Sequence, residues 1–159
     1  MIKVRSFDKL KEYIQKKIND ALLNEIAEDI AEIESEVIRE NVYNKYTPKM
    51  YERREMGGGL ADPSNIQGEL VEDGILRVEN KTKFNPGYDT QNQGEGLAGL
   101  VEYGNGYDGH RYEYYLKRGN SVYTEPRPFI DDTREYVANG IVDDLAMALE
   151  DRGLKVKRL

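Results

Sequence analysis

The residues of this chain that could do chemistry are few and far apart. Its single histidine, His110, lies in Tyr107-Asp108-Gly109-His110-Arg111-Tyr112, and Ser121 is the one serine near it. An acyl-transfer relay needs a nucleophile held against the imidazole and an acidic partner behind it. Here the histidine is instead surrounded by turn residues, which reads as a loop. Glu125, Asp131 and Asp132 place three carboxylates in a short span, and with His110 they are the only candidates for a metal-dependent hydrolase. The adjacent aspartates begin a helical pattern, where capping and the helix dipole already account for negative charge. Gly57-Gly58-Gly59 lacks the lysine and the preceding strand of a phosphate loop; a hinge or a close backbone approach is the simpler reading. Without cysteine, disulfides and thiolate metal sites are excluded. No catalytic, cofactor-binding or metal residue is expected, and no cofactor.

What stands out instead is aromatic usage: 12 tyrosines against 3 phenylalanines and no tryptophan in 159 residues. Tyrosine suits surfaces that are apolar on one side and wet on the other, which is the environment of an interface. The candidate interface residues are Tyr43, Tyr46, Tyr51, Tyr103, Tyr123, Glu125, Arg127 and Phe129. A net charge of −7 argues against specific nucleic-acid binding, which favours a basic surface. No apolar run approaches membrane-spanning length and no signal-peptide pattern follows Met1, so a soluble intracellular protein with no membrane partner is expected.

The elements that must position these residues are legible in the periodicity. Ser6 is a candidate N-cap, with Asp8 in the first turn behind it. Leu10, Ile14, Ile18, Leu22, Ile26, Ile30, Ile33 and Val37 then recur at steps of three and four, predicting one long amphipathic helix that Pro48 ends, within residues 1–47. A persistent step of four drifts around an ideal helix of 3.6 residues per turn, so the stripe winds or the helix bends near Asn19-Asp20. Between Asp20 and Glu40 Arg39 is the only base, against eight acids.

Val71-Glu72-Asp73-Gly74-Ile75-Leu76 sets Asp-Gly between apolar-rich runs, predicting a type I′ hairpin. In that register Glu72 faces Ile75 and Val71 faces Leu76, with Val71, Leu76 and Val78 on one face and Leu70 and Ile75 on the other. Residues 81–96 lose all periodicity and read as a mobile loop. Leu97 to Tyr103 fits a short helix or a strand, and Arg111 to Leu116 and Ser121 to Thr124 a second pair of strands. Pro126 and Pro128 make Glu125 to Pro128 extended. This stiff segment delivers Phe129 to a last helix over 129–152, with Gly153 as its left-handed C-terminal cap and Leu154 packing behind. The tail from Leu154 onward is basic. The expectation is a single α+β domain over 1–159: a long N-terminal helix and a C-terminal helix packed on a small, mainly antiparallel sheet within 66–124.

The order of parts resembles the small tail-completion and head–tail joining proteins of long-tailed bacteriophages. The resemblance is carried by the long acidic helix, the Tyr/Arg-rich link with Tyr51-Glu52-Arg53-Arg54 and Gly-Gly-Gly-Leu, the hairpin, and three short motifs. These are Leu100-Val101-Glu102-Tyr103-Gly104, Glu125-Pro126-Arg127-Pro128-Phe129, and the closing helix through Leu149 with Gly153. The chain departs from that family after the first helix, where Tyr46-Thr47-Pro48 and Gly57 to Leu60 replace an Ala-Pro-x-x-Thr-Gly segment.

The resemblance implies an α+β structural protein that is not an enzyme. It would form a homo-oligomeric ring, meet the phage head-connector and the tail-tube or tail-terminator proteins, and let DNA pass through. It would reside in the virion and, during assembly, in the host cytoplasm. The competing expectation is a small intracellular adaptor or regulatory protein that binds a partner through its acidic helix.

Overall fold

The structure is a computed structural model that describes residues 6–45, 47, 53–83, 97–104 and 126–157. The expectations for His110, Ser121, the 84–96 part of the loop and the strands after Tyr107 lie outside the described residues, as do those for Tyr46, Tyr51, Tyr123 and Glu125.

One continuous helical rod over residues 7–43 organises the molecule. It opens as α1, Phe7–Ala21, with the Ser6 side chain accepting the Lys9 N–H as predicted. It passes through a π-helical turn at Leu22–Ile26, continues as α2, Ala27–Ile38, and closes in a second π-turn at Arg39–Tyr43. These wide turns answer the drift of the four-residue repeat. Each takes up an extra residue, so the apolar stripe is returned to the core face. The irregularity expected near Asn19-Asp20 falls just beyond them, at the π-turn that begins at Leu22. The rod ends at Tyr43, before Pro48 imposes a stop.

Strands β1, Ile66–Glu72, and β2, Ile75–Asn80, form a two-stranded antiparallel sheet. Glu72 pairs with Ile75 as expected, but Leu76 pairs with Leu70, not Val71. Val71 is the extra residue of a β-bulge, and the bulge exchanges Leu70 and Val71 between the predicted faces. Leu70, Leu76 and Val78 are half-buried together, whereas Val71 and Ile75 are exposed. At the turn Gly74 has φ +78° while Asp73 does not enter the positive-φ region. A type I′ turn needs positive φ at both central residues, so that assignment fails. The turn is held from outside: Asn19 Oδ1 accepts the Gly74 N–H at 2.9 Å, and Asn19 Nδ2 donates to Asp73 Oδ1 at 3.0 Å.

The hairpin lies close against α2. A Cβ at Gly68 would stand 2.5 Å from the Ala27 Cβ, so glycine opposite alanine lets sheet and helix meet. Helix α3 spans Leu97–Tyr103, and α4 spans Ile130–Asp151. Val137, Ile141, Leu145 and Leu149 turn the half-buried stripe of α4 inward around buried Ala148. Gly153 at φ +79° closes α4 as anticipated: its N–H reaches Glu150 O, and the Leu154 N–H reaches Leu149 O at 3.0 Å. The architecture is α+β, a long N-terminal helix and a C-terminal helix with a small antiparallel hairpin. Its main core gathers Ile38, Val42, Leu60, Val101 and Phe129 where the end of the rod, α3 and the start of α4 converge.

Candidate functional site

The most tightly built region is that convergence. Phe129 is 0% exposed, so its ring packs in the core of its own chain. The segment before it, Pro126 to Pro128, is neither helix nor strand, and its backbone pairs with α3 through the Arg127 N–H and Val101 O at 2.9 Å. At its N-cap position Phe129 offers α4 no capping side chain. Glu102 supplies the missing group from α3. Its Oε2 accepts the N–H groups of Phe129 at 2.7 Å and Ile130 at 2.9 Å, satisfying two donors that a helix start leaves without intrahelical partners. Glu102 is only 3% exposed.

The Val-Glu motif and the Pro-Arg-Pro-Phe motif are therefore one device, a clamp that fixes where α4 begins. Asp131 and Asp132 sit in the first turn of α4, as predicted. Asp131 pairs with Arg134 at 2.8 Å, and Asp132 accepts from Asn41 on the rod. Asn41 Nδ2 also reaches Pro128 O at 3.4 Å, and Thr133 Oγ1 donates to Phe129 O at 2.7 Å.

A second polar node adjoins the clamp. Asn80 Nδ2 donates to Glu34 Oε1 and to Leu60 O, each at 2.9 Å, while Asn80 Oδ1 accepts from Thr82 Oγ1 at 2.6 Å. Ser35 Oγ donates to Ala61 O at 2.6 Å. Burial raises the Glu34 carboxyl above its ordinary range; the Asn80 hydrogen bond opposes the shift, and Glu102 adds to it. The glycine triplet is a close approach in this node. A Cβ at Gly59 would lie 2.4 Å from Glu55 O, and Asp62 Oδ2 accepts the Gly58 N–H at 2.8 Å. The Ser64 hydroxyl and the Gly58 N–H hold the Asp62 carboxyl below its usual range.

The predicted interface residues divide by environment. Tyr43 is engaged within the chain: its hydroxyl accepts the Ala61 N–H at 3.1 Å, and the Arg53 guanidinium lies 4.7 Å from its ring centre. Tyr103 is exposed, Arg127 is half-buried and Phe129 is core. Sequence reasoning singled out the Val-Glu motif without a role for Glu102, and it overlooked Glu34, Asn80 and Asn19. Glu102 had a usable signal, an acidic residue in an otherwise apolar helix. Asn19 and Asn80 had none, because the contacts that give them a role, Asn19 to the hairpin turn and Asn80 to Glu34, each span more than 40 residues of chain.

Among the described residues no group of three or more His, Asp or Glu side chains could hold a metal ion, and no helix is long and apolar enough to cross a membrane. The region joins backbone segments, and the fold is that of an α+β protein organised on one long helix. Residues 6–151 match the YomN family, and the chain belongs to it. That family is associated with phage, from a Bacillus prophage. No curated protein and no solved structure matches the chain.

Proposed function

We propose that this is a structural phage morphogenesis protein that completes the tail or joins the head connector to the tail tube as an oligomeric ring. The observation that carries the reading is the clamp. Two motifs of the resemblance, around Glu102 and around Phe129, are distant in sequence yet meet through the Phe129 and Ile130 N–H groups. Such a clamp sets the direction of a 22-residue helix, which a subunit needs if its outer faces are to meet neighbours at a fixed angle. Membership of a phage-associated family supports the same reading. In this role the protein works by shape, with no reacting group. Mass spectrometry of purified virions should find the chain at a fixed copy number per particle, and electron cryomicroscopy should place it at the head–tail junction. Its absence from virions would overturn the reading.

The acidic surface of α2 favours a second reading, an adaptor that takes a partner along this helix. Affinity capture that recovers a host regulator and no virion component would select it.

A further inference from the structure

The two ends of the rod carry opposite and unsatisfied surfaces. In α1 the apolar stripe begins at Phe7 and Leu10, which are exposed, passes through half-buried Ile14 and Ile18, and is buried at Ala21. Phe7 is 80% exposed and Leu10 39%. On a helix of about 3.6 residues per turn, Lys11 and Lys17 fall on either side of this stripe. The first helix thus presents an apolar ridge flanked by positive charge, with no described residue covering its start.

Further along the rod, Asp29, Glu32 and Glu36 of α2 and Asp144 of α4 rim an open groove of about 250 Å³ with Ile33 in its lining. No lysine or arginine lines it. Burial, then Asp144 and the neighbouring glutamates, raise the Asp29 carboxyl above its ordinary range, the mark of crowded like charge.

The ridge and the groove are complementary in both respects, cationic flanks against acidic rims and apolar crest against Ile33. They cannot meet within one chain. Leu10 and Glu32 lie on one continuous rod, on the order of 30 Å apart at a helical rise of 1.5 Å per residue.

We propose that the start of α1 docks into the acidic groove between α2 and α4 of a second copy of this chain. The contact joins unlike patches, so one docking leaves a free groove on one copy and a free ridge on the other, and further copies can add. It rests on the ring reading above for its biological setting and supplies that ring's contact surface. Its test is made in solution, separately from the virion.

The test measures the mass of the full-length protein by light scattering as a function of salt, with two double variants. Phe7→Ser with Leu10→Ser removes the ridge; Glu32→Lys with Glu36→Lys reverses the groove. All four side chains are exposed, so helical circular dichroism should match the wild type. At low salt the wild type is expected to run at twice the monomer mass or more, and to return toward monomer in roughly 0.5 M salt, where charges beyond a few ångströms are screened. Each variant alone should be a monomer.

An equimolar mixture should form a one-to-one pair, because one variant keeps the ridge and the other keeps the groove. A wild type that stops at a dimer, with the mixture still pairing, supports the contact and counts against the ring. A wild type monomeric at low salt, either variant associating like the wild type, or a mixture that stays monomeric overturns the proposal.

Discussion

At Phe129 a wholly buried ring occupies the junction of three elements, and its truncation leaves a cavity none of them can close alone. Phe129→Ala should cost about 3–5 kcal/mol in urea unfolding, and a loss below about 1 kcal/mol would show that the core is loosely packed there. Glu102 is committed differently. Glu102→Ala leaves two N–H groups of a helix start without their acceptor and should cost about 0.5–2 kcal/mol. Glu102→Gln keeps an acceptor oxygen and should lose less, so equal losses in the two variants would refute the capping role.

Glu34 carries a pH signature. Its folded-state pKa lies above the ordinary value of 4.5 for a glutamate, so the folded protein binds this proton more readily than the unfolded chain. The cost of burying the charge is fully present above the raised pKa and is relieved as pH falls toward 4.5. Glu34→Gln should therefore stabilise the protein near pH 7, with the gain vanishing by about pH 4. Asp62 acts in the opposite sense and in a lower window. Its depressed pKa contributes stability above the ordinary aspartate value of 3.8 that is lost as pH falls below it. Thermal melts of the wild type and Glu34→Gln from pH 3 to 8 would separate the two, and a gain independent of pH would contradict the account of Glu34.

At the scale of elements, the contact between the hairpin and α2 depends on a missing side chain. Gly68→Ala would bring one Cβ to 2.5 Å from another at Ala27, and also 3.2 Å from Leu76 Cδ1. Separation of the layers should cost about 1–3 kcal/mol, and the double variant Ala27→Gly with Gly68→Ala should recover part of it. Independent losses in a double-mutant cycle would show that the two positions do not touch. The π-turns belong to the same scale. They turn a stripe with a four-residue repeat back toward one face, a task no single residue of the stripe reveals. Periodicity predicted the rod because apolar spacing is a local property. The wide turns went unforeseen because they are set by what the rod must face.

For the whole molecule, the arrangement is a stiff rod with a hairpin laid along it and a second helix clamped at one end. Its charge is segregated by the order of the sequence, lysines early in the rod and acids later, and the rod's rigidity keeps the two from neutralising each other within one chain. The proposed association between copies uses both surfaces, and the mixing experiment above tests it.

The sequence by itself determined most of the described elements and several of their ends. The Ser6 cap, the long amphipathic helix, the hairpin at Asp73-Gly74, the first-turn aspartates of α4 and its Gly153 cap all follow from interactions within a few residues. Only the tertiary structure decided how those elements meet. It placed Phe129 in its own core, made Glu102 the cap of a distant helix, displaced Val71 into a bulge and set Asn19 against the hairpin turn. The physical reason is range. Capping, turn chemistry and periodicity act along the chain, whereas burial and buried hydrogen bonding join residues from any distance and take their geometry from packing.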